Sequence, residues 1–200
     1  MKIEYYNEYL QYKNMGIRSE ATKAIIKFVD SFENYAEKES WTLEYLPKLY
    51  LDCNGRVRNE LFEEIVFPVL LNGYNNKKVS LMIWLAKLSD NYYQNEKIWK
   101  NYKTSLEIIK ECYEIDPDNE EVVDIYLKLV ISVIDYSIHE WPCGILWGLD
   151  GATKEQCRII LKQIPLYHKL DSDKKFFEYI NDYENKVKEY IGRFVNVSRV

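Results

Sequence analysis

Glycine and proline are scarce in this 200-residue chain, at 7 and 5 residues. That leaves too little turn chemistry for a many-stranded β protein. Histidine is scarcer still, with only His139 and His168. Neither stands in an HExxH motif and no glutamate lies three residues before either, so the helical zinc and di-iron patterns are missing. His139 falls near a helix end, where a cation suits the dipole. Cys143 follows it by four residues, but two ligands do not make a tetrahedral metal site. The four cysteines, Cys53, Cys112, Cys143 and Cys157, stand singly with no CxxC pair. They read as reduced, buried thiols of a cytosolic protein and not as a disulfide framework. No G-x4-GKS or GxGxxG loop is present to hold phosphates.

Long apolar runs are lacking too. IVFPVLL and LVISVI are too short to cross a bilayer, and the polar start MKIEYYNEYLQYK is no signal peptide, so the expected location is cytoplasmic. There is no basic excess. The net charge is −5, and it is unevenly placed: residues 1–100 hold 14 basic and 14 acidic side chains, residues 101–200 hold 13 and 18. Phosphate would be repelled by the second half, which argues against nucleic acid as a direct ligand.

What the chain does have is helical periodicity, in an ordinary globular balance of 47% hydrophobic and 30% charged residues. The first helix is predicted over 2–14, ending at Gly16. Ser19 reads as the N-cap of the next, whose stripe is Ala21, Ala24, Ile25, Phe28, Val29 and Phe32. A short segment around Leu43–Leu51 is punctuated by Pro47, and Asn54-Gly55 makes a turn. Residues 57–72 read as a helix kinked or ended near Pro68 and closed by Gly73. Residues 77–93 form a core helix through Val79, Met82, Ile83, Leu85, Ala86 and Leu88. Helices over 97–114 and 119–139 are joined by Asp116-Pro117-Asp118. Thr153 and Gln156 form a capping box opening a helix to about Gln163. Ser172 caps a last helix over 173–191 that stops at Gly192. The reading is all-α: antiparallel helix pairs stacked as an irregular bundle or short solenoid, a single domain over 1–194 with a tail at 195–200.

Two features carry functional weight. Between Glu107 and Asp124 eight acids face one lysine: Glu107, Glu111, Glu114, Asp116, Asp118, Glu120, Glu121 and Asp124. Glu120 and Glu121 suit a helix N-terminus, but Glu111 and Glu114 crowd a C-terminus, where negative charge is unfavourable. Crowding like charges costs stability, which an acidic surface for a basic partner would justify. A calcium loop does not account for it. Counting from Asp116, the sixth and twelfth places are Glu121 and Leu127, where an EF-hand needs glycine and glutamate. The second feature is the loop Trp141-Pro142-Cys143-Gly144-Ile145-Leu146-Trp147-Gly148, apolar without helical period. Its Trp141 and Trp147 are candidate contact residues or plugs between helices. The 18 tyrosines, with pairs such as Tyr92 and Tyr93, suit packing or protein contact. Glu60, Glu63 and Glu64 share a face but read as solvated charge, Arg56 standing four residues before Glu60.

Leu85, Leu88, Ser89 and Tyr92 sit at the spacing W-x2-L-G-x2-Y, and Ser105, Ile109 and Pro117 fit the second-helix pattern A-x3-F with its closing proline. Residues 85–117 thus resemble one degenerate tetratricopeptide repeat, with four extra residues between the helices and without the pattern's tryptophan and alanine. In overall character (acidic, tyrosine-rich, helical, without catalytic groups) the chain resembles the immunity proteins of bacterial toxin–immunity systems, including contact-dependent growth inhibition. That resemblance implies a stoichiometric inhibitor that occludes the basic active site of a cognate nuclease toxin. It implies no enzyme activity, cofactor, metal, membrane or small-molecule substrate, and it assigns no residue. The alternative is a helical-repeat adaptor or regulator that binds a peptide or protein partner.

Overall fold

Gly16 takes φ +73°, a left-handed conformation that glycine reaches without a Cβ penalty, and there α1 (Ile3–Asn14) turns into α2 (Arg18–Asp30). The computed structural model describes residues 1–52, 57–89 and 103–197. Cys53, the Asn54-Gly55 turn, Arg56, Tyr92, Tyr93 and residues 97–102 of an expected helix lie outside the described residues. Within them the fold is all-α. After α2 come α3 (Tyr35–Asp52), α4 (Asn59–Leu61), a π turn (Phe62–Val66), α5 (Phe67–Asn75) and α6 (Val79–Lys87). Then follow α7 (Ser105–Ile115), α8 (Glu120–Ser137), α9 (Lys154–Leu170) and α10 (Phe177–Val197). The only strands among the described residues are β1 (Leu146–Trp147) and β2 (Asp150–Gly151), paired antiparallel across a turn at Gly148.

One N-terminal cap falls where the sequence places it. Thr153 and Gln156 form the reciprocal box at the start of α9. Other punctuation is overruled by packing. Ser19 is no cap, because α2 already begins at Arg18. Pro47 does not break α3, since it and Leu43 lie on the exposed face, where solvent can take the carbonyl that proline leaves unbonded. Pro165, also exposed, is passed in the same way, so α9 runs beyond Gln163 to Leu170. The helix expected over 97–114 begins only at Ser105, where Thr104 and Glu107 form a second capping box. Ser172 caps nothing; α10 begins at Phe177 after Asp171 Oδ2 accepts from the Phe176 N–H at 2.8 Å. Gly192 does not end α10, which reaches into the expected tail as far as Val197. The Arg193–Glu189 pair at 2.9 Å and the Tyr190 and Phe194 rings at 5.1 Å tie the turns that flank it.

Pro68 does produce a local break. It cannot donate to the Glu64 carbonyl four residues back, the chain widens into the π turn there, and Lys38 Nζ donates to that carbonyl at 2.9 Å. Gly73 is not a closing cap but a buried helical residue. A Cβ there would lie 2.4 Å from the Cβ of Leu81, so glycine is what lets α5 and α6 approach.

Two compact units make up the chain, Met1–Asp116 and Pro117–Val200, a division the single-domain reading of 1–194 does not anticipate. In the first, Ala21, Ala24, Ile25 and Phe28 of α2 are buried together with Trp41, Leu46 and Leu49 of α3. Their aromatic neighbours interlock, Trp41 and Tyr45 stacking at 4.4 Å and Tyr6 meeting Trp41 edge-on at 5.6 Å. Helices α6 and α7, the pair behind the tetratricopeptide resemblance, pack against each other here. In the second unit Val122, Tyr126, Val130 and Ile134 present the buried stripe of α8, and Ile160, Ile164, Ile180, Tyr183 and Val187 are buried from α9 and α10.

Candidate functional site

The eight acids of the predicted cluster divide between the units at Asp116-Pro117, and they are not equivalent. In the first unit Glu107 is spent on its own helix. Its carboxylate accepts from the Thr104 N–H at 2.7 Å and the Thr104 hydroxyl at 2.9 Å, which hold it below the ordinary carboxylate value. Glu111, with a side chain only 17% exposed, is an internal hub. It accepts from the Tyr74 hydroxyl at 3.1 Å and Lys77 Nζ at 3.0 Å, and also from Lys103 Nζ. Burial alone would raise its pKa, but the hydrogen bonds from Lys103, Lys77 and Tyr74 together lower it. Helix α7 is thereby tied to the end of α5. Glu114 is exposed, and Asp116 is the half-buried C-cap of α7.

In the second unit Asn119 caps α8, its side chain accepting from the Val122 N–H at 3.3 Å. Asp118, Glu120, Glu121 and Asp124 then stand exposed over the first turns, where the helix dipole favours them. Three of them, Asp118, Glu120 and Asp124, line one cavity of about 550 Å³. Its other acids, Asp171 and Asp173, come from the turn between α9 and α10, and Val123, Leu127, Leu170 and Phe176 add an apolar floor. Two lysines also border it. Lys128 pairs with Asp124 at 2.6 Å and Lys175 Nζ sits 5.2 Å from the Phe176 ring centroid. Five carboxylates against two ammonium groups leave the cavity strongly negative. Among the described residues no group of three or more metal-ligating side chains is placed to hold a metal ion.

Asp171 is the residue that sequence reasoning missed. It is 3% exposed, and its Oδ1 has no hydrogen-bond partner among the described residues. The signal was the acid pair in Asp171-Ser172-Asp173, read instead as helix-capping chemistry around Ser172.

The tryptophan loop is built onto the end of α8. Tyr183 donates to Ser137 Oγ at 3.0 Å, and that hydroxyl donates to the Leu146 carbonyl at 3.0 Å. Tyr136 reaches the Gly148 carbonyl at 2.8 Å. The hairpin so anchored presents Trp147 at 38% exposure and Leu149 at 93%. Trp141 is half-buried, with the Arg193 guanidinium 4.8 Å from its ring centroid.

His139 is exposed, its Nε2 4.0 Å from Glu140 Oε1. His168 lies against the Phe177 ring at 4.9 Å. Cys112 and Cys157 are buried, as the sequence implies, but Cys143 is exposed because its loop leaves the helical layers. Burial pushes the Cys112 thiol up to about 11, away from reactivity. Glu60 pairs with Arg58 at 2.9 Å, the expected partner Arg56 being outside the described residues. No helix among the described residues is long and apolar enough to cross a membrane. Compared with family models, curated proteins and solved structures, the chain matches none.

Proposed function

We propose that this chain is an immunity protein, which binds and neutralises a cognate bacterial toxin with a basic, nuclease-type active site. The observation that carries the reading is the acidic cavity of the second unit, where carboxylates from α8 and from the α9–α10 turn surround one concavity. A nuclease must be positive where it holds phosphates, and an acidic partner is steered to such a groove quickly. The exposed hairpin with Trp147 and Leu149 supplies apolar surface of the type that anchors protein interfaces.

The test is co-expression with a toxin found to be encoded beside the gene, together with binding kinetics. Reversing Asp118, Glu120, Asp124 and Asp173 to lysine should chiefly slow association and flatten its salt dependence, because exposed charges act through encounter. Trp147→Ala should weaken affinity by at least about 2 kcal/mol if the hairpin is a hot spot. Undiminished protection and unchanged low-salt kinetics in the four-lysine variant would refute the reading.

The adaptor reading is favoured by a different observation, an apolar cavity of about 510 Å³ lined by Ile3, Tyr6, Leu10, Trp41 and Tyr45 in the first unit. It requires saturable binding of an amphipathic helical peptide there, abolished by Leu10→Glu.

A further inference from the structure

In the first unit α1 packs on α2, and α3 packs on the π turn and α5, which leaves a cavity of about 510 Å³ along α1 and α3. Tyr6 and Leu10 line it from one helix, Trp41, Tyr45 and Leu49 from the other. Met1 and Ile3 also line it and stay 42% and 47% exposed. Single apolar side chains on a surface are ordinary, but two beside an open aromatic groove make a patch that association would cover. The remaining lining residues are one acid and one base, Glu44 and Lys48, both exposed and one turn apart on α3. A glutamate four residues before a lysine is well placed to pair with it, and Glu184 with Lys188 does so at 2.7 Å on α10. Glu44 and Lys48 stay apart, and neither forms an ion pair with a described residue.

We infer that a second copy of this chain covers the groove, related to the first by a twofold axis that crosses α3 between Glu44 and Lys48. In an isologous contact one surface meets itself, so that residue i touches j and j touches i. Two α3 helices running antiparallel about that axis bring Glu44 of each copy to Lys48 of the other. Both unpaired charges are then answered by the same two residues. A strongly acidic or strongly basic partner would leave one of them against its own sign, and like charges so placed are costly. A second copy needs no chemistry beyond what the groove already holds, whereas the peptide of the adaptor reading would have to supply a matching acid and base. Apolar side chains at the centre with charge at the edge are also how protein interfaces are arranged. A contact of this modest extent gives a weak, reversible dimer. The inference stands apart from the immunity reading, which uses the second unit.

The test is sedimentation equilibrium of the full chain over a concentration series. The wild type should pass reversibly from monomer to dimer, with less dimer at high salt, which screens the rim pairs. Glu44→Lys and Lys48→Glu each set like charges across the axis twice and should raise the dissociation constant at least about tenfold. An equimolar mixture of these two variants should dimerise at least as well as the wild type, because a face with two lysines then meets a face with two glutamates. The double variant, its charges exchanged, should recover the homodimer. Ile3→Glu should weaken the wild-type dimer, and in both partners it should weaken the mixed one too. All three positions are exposed, so these variants should keep the fold, which circular dichroism checks. A wild type that stays monomeric at every concentration would overturn the inference. Single variants that dimerise as the wild type does, or a mixture no better than its parents, would overturn it as well. Protection from a toxin bears on the immunity reading alone and should be unchanged in Glu44→Lys.

Discussion

At the scale of single residues, position in sequence and position in charge networks part company. Glu107, Glu111 and Glu114 follow one another at helical spacing and look alike in the chain, yet one caps a helix, one is an internal hub and one is exposed. Spacing could not separate them, because Tyr74, Lys77 and Lys103 reach Glu111 from other parts of the chain. Glu111→Gln should therefore destabilise the fold, by about 1–3 kcal/mol, the range for bonds to a partly buried charged group. The sign of its pH dependence follows from the lowered pKa. The stabilisation is fully present above the ordinary value of 4.5 and is lost as pH falls through the lower folded-state value. Urea denaturation at a series of pH values should show the two proteins differing at neutrality and converging in acid. A constant difference across that range would mean that packing, not charge, accounts for the loss.

Among the elements, one reciprocal N-terminal box was legible, while the single-serine caps and most of the proline and glycine punctuation were not. Thr153 with Gln156 can be read directly because both bonds lie within four residues. Pro47 misled because a proline inside a helix is tolerated when its face meets solvent, as Pro165 is too, and exposure is a property of the fold. Gly73 misled in the opposite way: it was read as conformational freedom and is in fact absence of volume. Gly73→Ala would gain helix propensity of roughly 1 kcal/mol. A Cβ 2.4 Å from Leu81 should outweigh that, giving a net loss of about 1–3 kcal/mol in chemical denaturation. The paired change with Leu81→Ala should recover much of the overpacking cost, so failure to recover would locate the strain elsewhere.

For the whole molecule, helical class was evident from period and composition, but the division at Asp116-Pro117 was not, since the sequence around it reads as an ordinary helix-to-helix turn. Each unit happens to carry its own buried thiol, Cys112 in the first and Cys157 in the second, while Cys143 is exposed. Peptide-resolved mass spectrometry after brief alkylation at neutral pH should find Cys143 modified and the other two protected. Added denaturant should then unmask Cys112 and Cys157, each reporting on the opening of its own unit. Early labelling of Cys112 would contradict its burial.

Asp171 also has an evolutionary consequence. A shielded oxygen with no donor among the described residues leaves the chain less stable than its core would allow, by roughly 1–3 kcal/mol. A laboratory selection for heat tolerance should enrich uncharged residues at this position. Because solvent scarcely touches Asp171, such a change would remove a carboxylate without altering the exposed charge that Asp118, Glu120, Asp124 and Asp173 present.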